Sequence, residues 1–192
     1  MFYQTMRFIA KILTIIMYRK TVTGTANIPK EGAFLLCGNH ISAYDPIILA
    51  AISKRPLRFM AKKELFGFRL LGAFLRAMGA FPVDRKAADM QAYRHSLALL
   101  KEGHGLLIFS QGTRMTEFDN AKSGVAVFAL KSGAPIVPVG IVGPFRFRGK
   151  VQVHIGEPIS MEKYQGQKVK SELVDEVMDT ISRRVTALLN PM

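Results

Sequence analysis

Short apolar, β-rich runs alternate along this chain with longer segments of helical period. That alternation predicts a single α/β domain, a largely parallel or mixed sheet flanked by helices. Two further observations favour one domain over two. The chain has 192 residues, 49% of them hydrophobic, which suits one sizeable core and would be cramped for two. No linker, internal repeat or low-complexity block divides it.

Taken in order, residues 8–18 are apolar apart from Lys11 and Thr14, with Arg7 before them and Arg19-Lys20 after. A membrane-spanning helix needs about 20 apolar residues, so this stretch is too short. Its charge order is that of a signal peptide, but Lys11 interrupts the apolar core and no small-residue cleavage site follows. Ile9, Leu13, Ile16 and Met17 fall on one side, with basic residues at the edges. The pattern predicts a short amphipathic helix at a membrane surface over residues 1–20, ahead of a domain at 21–192. A helix simply packed on that domain is the other reading.

Strands are expected at 33–37, 57–60, 80–83, 105–109, 136–139 and 151–155, each a brief apolar or β-branched run. Helices are expected between them, at 46–53, 63–78, 87–101 and 124–131. A long amphipathic helix ends the chain, with Val169, Leu173, Val177, Ile181, Val185 and Leu188 at near-helical spacing. In the segment 63–78, Lys62, Arg69 and Arg76 recur every seven residues while Leu65, Phe66, Phe68, Leu70, Leu71, Phe74, Leu75 and Met78 fill most of the rest. Such a helix either lies against lipid or lines an acyl-chain groove, or is buried with a solvated basic stripe.

The 27 Lys+Arg against 14 Asp+Glu leave a formal charge of +13, which points to an anionic partner. Anionic lipid and a phosphorylated substrate both fit. No zinc finger, helix-turn-helix or basic-aromatic RNA signature accompanies the charge, so no nucleic-acid partner is expected. The single Cys37 excludes an internal disulfide framework, and its apolar strand predicts a buried, inert thiol. His40, His95, His104 and His154 are scattered without metal-ligand spacing, so no metal site is expected.

Three polar clusters follow strand ends, where α/β folds gather their functional loops. The first is Gly38-Asn39-His40-Ile41-Ser42-Ala43-Tyr44-Asp45-Pro46. A turn can fold the carboxylate of Asp45 back onto the imidazole of His40, fixing its tautomer so that it takes a proton from a substrate hydroxyl. The competing reading makes Asp45 a helix N-cap before Pro46, with His40 an ordinary loop residue. Ser42 lies close, but no G-x-S-x-G elbow is present, so direct attack by a substrate hydroxyl is favoured over an acyl-enzyme. The second cluster ends in Arg85, and the third carries Arg114 and then Lys122. Each offers a cation where a phosphate could be held, although each alone reads as a surface charge. A further run, Ala134-Pro135-Ile136-Val137-Pro138-Val139-Gly140, reads as an edge strand or strand end.

In order, these segments resemble the motif blocks of the glycerolipid acyltransferase family. Asn39, His40 and Asp45 match its Asn-His-x4-Asp block, and Phe81 and Arg85 match the second block. Phe109, Gly112, Thr113 and Arg114 match Phe-Pro-Glu-Gly-Thr-Arg, and Pro135, Val137 and Pro138 match the fourth block. Ser110 and Gln111 stand where the family has proline and glutamate; Gln111 keeps the length and an acceptor oxygen but loses the charge.

The resemblance implies a catalytic dyad of His40 and Asp45 and a phosphate site of Arg85, Arg114 and Lys122. It implies that Asn39, Gln111, Gly112 and Thr113 position the acceptor. The implied reaction is that of a 1-acylglycerol-3-phosphate O-acyltransferase. An acyl chain would pass from coenzyme A or acyl carrier protein to the sn-2 hydroxyl of lysophosphatidic acid, giving phosphatidic acid without metal or bound cofactor. Anionic membrane lipid is the expected partner and the cytoplasmic face of the cell membrane the expected place. Two alternatives stand beside it. One is acylation of glycerol-3-phosphate or another lysolipid, and the other is a catalytically silent lipid-binding protein of the same fold.

Overall fold

A computed structural model describes residues 2–84, 89–109 and 124–190 of the chain. Helix α1 (Phe2–Met17) runs directly into strand β1 (Tyr18–Thr23), followed by β2 (Phe34–Gly38) and α2 (Asp45–Ile52). Next come β3 (Leu57–Lys62), α3 (Arg69–Ala77), β4 (Ala80–Val83), α4 (Met90–Lys101) and β5 (Gly105–Phe109). Helix α5 (Gly124–Ser132), β6 (Ile136–Val142), β7 (Gly149–Ile155) and α6 (Ser171–Leu189) complete the order.

Among the described residues the strands form one seven-stranded sheet in the order β1-β7-β6-β2-β5-β3-β4. Strands β6, β2, β5, β3 and β4 are mutually parallel, while β7 meets β6 antiparallel and β1 runs parallel to β7. The expected α/β domain with a mixed sheet is the one the chain adopts. Alternation along β2 explains its two layers. Phe34 and Leu36 face a core that includes Ala10, Ile48, Leu49, Leu75 and Met78, from the side of α1, α2 and α3. Leu35 and Cys37 face the opposite core, with Leu100, Val125, Phe128, Val177 and Ile181 from α4, α5 and α6. Cys37 is therefore buried, as its apolar strand predicts.

Three expectations need revision. The proline-containing run that reads as an edge strand or strand end is β6, an interior strand between β7 and β2 with Pro138 opposite Cys37. Strand β1 was not anticipated, because residues 18–20 read as the basic edge of the first helix. It pairs in full with β7, from Tyr18 opposite Gly149 to Thr23 opposite His154. The helix expected over 63–78 is broken: Lys63–Gly67 forms a 3-10 turn, Phe68 is extended (φ −80°, ψ 112°), and α3 begins at Arg69. The turn folds tightly onto α3, since a Cβ on Gly72 would lie 2.8 Å from the Phe66 carbonyl oxygen. After α3, Gly79 adopts φ +90°, and a side chain there would collide with the Leu57 carbonyl oxygen at 2.3 Å.

Candidate active site

The parallel arrangement carries the carboxyl ends of β2, β3, β4, β5 and β6 to one edge of the sheet. His40 leaves β2 at that edge, and Asp45 opens α2 five residues later. The side chain of Asp45 does not cap its own helix. Its Oδ2 turns back and accepts three hydrogen bonds at 2.8 Å, from the His40 ring at Nδ1 and from the N–H groups of Ile41 and Ser42. Pro46 at the start of α2 removes a donor that the first turn would leave unpaired. Of the two readings open at the sequence level, the geometry is that of the turn which joins imidazole and carboxylate.

Asp45 is fully buried, whereas the His40 side chain is 21% exposed, so the dyad has an inner carboxylate and an imidazole that reaches solvent. With Nδ1 engaged, Nε2 is the ring nitrogen left to meet a substrate. The two backbone donors also help a carboxyl group tolerate this depth, because hydrogen bonds to Oδ2 offset lost hydration. Because Ile41 and Ser42 direct their N–H groups at Asp45, neither serves as an oxyanion donor in this arrangement. The Ser42 hydroxyl accepts from the N–H of Tyr44 at 3.2 Å and is buried. Burial first, then the neighbouring Tyr44 and Asp45, pushes the Tyr18 phenol above its usual value.

Asn39 is clipped to β6. Its Nδ2 donates to the Ile141 carbonyl and its Oδ1 accepts from the Ile141 N–H, both at 2.8 Å. A side-chain amide here extends the β2–β6 ladder one step past Gly38 and so fixes the backbone from which His40 projects. Phe109, at the end of β5, lies opposite Gly38 in the sheet register. Its ring stacks on His40, with centroids 4.2 Å apart and planes inclined by 16°. Sequence patterning gave Phe109 only as a strand end and a motif match. The contact depends on strand register, which local periodicity does not encode.

Six sequence-level candidates, Arg85, Gln111, Gly112, Thr113, Arg114 and Lys122, lie outside the described residues. Their described flanks are informative. Strand β4 ends at Val83 and β5 at Phe109, both at the edge that bears His40. Among the described residues no three His, Cys, Asp or Glu side chains gather as a metal-binding group.

Comparison with known proteins adds to this geometry. A family model described as Acyltransferase matches residues 19–142, which span β1 to β6 and include His40 and Asp45. A 1-acyl-sn-glycerol-3-phosphate acyltransferase of Bacillus subtilis is 31% identical over 97% of this chain and 98% of its own length. One of Streptococcus pneumoniae is 30% identical over 84% of this chain, which spans 61% of that relative. The crystal structure of the 1-acyl-sn-glycerophosphate (LPA) acyltransferase PlsC from Thermotoga maritima superposes with a TM-score of 0.75 at 26% identity. The match covers 99% of this chain and 80% of that one. With a matching family model over more than half its length and a relative alike from end to end, this chain belongs to the acyltransferase family of enzymes.

Proposed function

We propose that this enzyme transfers an acyl chain from a thioester to the free sn-2 hydroxyl of lysophosphatidic acid, giving phosphatidic acid, with His40 as general base. The observation that carries the reading is the 2.8 Å bond between His40 Nδ1 and the buried Asp45 carboxylate at the carboxyl edge of the parallel strands. Support for the acceptor comes from relatives named 1-acyl-sn-glycerol-3-phosphate acyltransferases.

In the proposed step the hydroxyl oxygen attacks the thioester carbonyl carbon while His40 Nε2 takes the hydroxyl proton. Asp45 stabilises the imidazolium. The tetrahedral intermediate then expels the thiolate of coenzyme A or acyl carrier protein, which regains a proton from His40. Base assistance of this kind contributes ~10²–10⁴ in rate. Substrate and imidazole account for every proton, so the scheme calls on no metal or cofactor. Arg85, Arg114 and Lys122 are proposed to hold the acceptor phosphate, with Gln111, Gly112 and Thr113 beside the glycerol backbone. Asn39 contributes by anchoring the loop of His40.

The proposal extends to place. Helix α1 buries Ala10 and Thr14 and leaves Phe8, Ile12, Leu13, Ile15 and Ile16 exposed. Water alone favours the reverse, with bulky aliphatic groups inside. Next to it, α3 and the turn before it expose Phe68, Leu71 and, at 86%, Leu70. No described helix is long and apolar enough to cross a membrane. Two adjacent apolar faces with Arg7, Lys11, Lys63 and Arg69 on the same segments suit an enzyme lying on anionic lipid at the cytoplasmic face of the membrane.

Purified enzyme supplied with an acyl thioester and an equimolar mixture of lysophosphatidic acid, glycerol-3-phosphate and other lysolipids tests the acceptor. Mass spectrometry should find phosphatidic acid as the main product. Acylation of glycerol-3-phosphate instead would move the enzyme to a neighbouring reaction. Vesicle binding without thioester consumption would favour the silent lipid-binding alternative, which Gln111 motivates.

A further inference from the structure

We propose that Phe109 is a positioning residue for the reaction, its ring forming a wall that sets the plane of the His40 imidazole. The inference rests on His40 being the general base. The hydrogen bond from Nδ1 to Asp45 and the covalent tether at Cβ still let the ring rock through small coupled turns of χ1 and χ2. A flat surface against one face removes this freedom, because rotation would drive the ring edge into the wall. Phe109 supplies that surface: the planes are nearly parallel, 16° apart, at a centroid separation of 4.2 Å. Bond and stack together determine where Nε2 points.

Strand pairing makes the wall rigid. Phe109 closes β5 and pairs with Gly38 of β2, two residues before His40, so both rings hang from neighbouring parallel strands. The Asn39 amide fixes the intervening backbone to β6 from the other side. The stack also has an electrostatic consequence. An aromatic face attracts a cation, so the contact strengthens as the imidazole becomes imidazolium during proton transfer. An interaction stronger in the transition state than in the ground state acts on kcat rather than on substrate binding.

The test compares Phe109→Leu, Phe109→Met and Phe109→Tyr with wild type, using lysophosphatidic acid and an acyl thioester. Leucine and methionine fill the space but present no flat face, whereas tyrosine keeps one. Phe109→Leu should lower kcat about 10–100-fold and change KM less than about threefold, as expected for a misaimed base. Phe109→Tyr should stay within about threefold of wild type. Circular dichroism identifies any variant that fails to fold, and Phe109→Met then replaces Phe109→Leu. A folded, flat-faceless variant at wild-type kcat overturns the proposal, as does Phe109→Tyr losing as much as the aliphatic variants. A His40→Ala control separates the two claims. Normal turnover in that control removes the general-base reading itself. An inactive control beside a fully active Phe109→Leu removes only the wall.

Discussion

Asp45 and Asn39 show how two buried polar side chains fix one imidazole. The Asp45 carboxylate collects His40 and two backbone N–H groups on a single oxygen. An amide in its place can keep the acceptor at Oδ2 but sets a buried NH2 group where Oδ1 has no hydrogen-bond partner among the described residues. Asp45→Asn should lower stability by ~1–3 kcal/mol in a urea melt and cut turnover by roughly 10²–10⁴. Unchanged turnover would remove Asp45 from the mechanism. Asn39→Ala strands the N–H and carbonyl of Ile141 inside the sheet. A loss of ~1–3 kcal/mol is expected, and an unchanged melt would mean that water replaces the clip. At this scale the sequence was informative where chemistry is local. Four residues lie between His40 and Asp45, and a turn suffices to join them. Asn39 was harder to read, since its partner Ile141 is 102 positions away.

Among the elements, helix α4 has a well-defined beginning. Asp89 accepts from the Ala92 N–H at the helix N-terminus and from the Asp84 N–H at 2.9 Å. Those bonds hold its carboxyl below the usual carboxylate range. A carboxyl lowered on folding adds stability above the unfolded value of 3.8 and gives it up as pH falls through the lower folded value. The melting-temperature gap between wild type and Asp89→Asn should thus be open at neutral pH and close in acid. A gap constant from neutral pH down to the acid limit would contradict the assignment. Helix α6 packs closely on β6, where a Cβ on Gly140 would meet Leu188 at 2.7–2.8 Å. Helical periodicity reveals α6 through Val177, Ile181 and Val185, which are buried along one face, while Val169 of the same pattern precedes the helix and is exposed. It hid β1, whose six residues carry Arg19 and Lys20 and bury little besides Tyr18. It also missed the break at Phe68, since the apolar residues continue through it and only the backbone changes direction.

For the whole molecule, a charge of +13 and exposed aliphatic faces on α1 and α3 make a joint prediction. Binding to phosphatidylglycerol vesicles should exceed binding to phosphatidylcholine and weaken with salt, because screening shortens to about 10 Å at 0.1 M. Ile12→Glu with Ile16→Glu should reduce vesicle binding while sparing turnover of a short-chain, soluble acceptor. Equal loss of both would show that α1 supports the fold instead. The sheet order explains why His40, Val83 and Phe109 come to one edge. Parallel strands bring their carboxyl ends together, whatever their distance along the chain. The register within the edge, which seats Phe109 against His40, and the clip between Asn39 and Ile141 are visible only in three dimensions.

The central claim is that His40, held by Asp45, removes the proton from the attacking hydroxyl. Release of free thiol from an acyl thioester in the presence of lysophosphatidic acid, for wild type and His40→Ala side by side, measures it directly. Wild type should release thiol in step with phosphatidic acid, and the folded variant should fall by at least roughly 10²-fold while still binding lipid. Thiol release by His40→Ala at the wild-type rate would contradict the account.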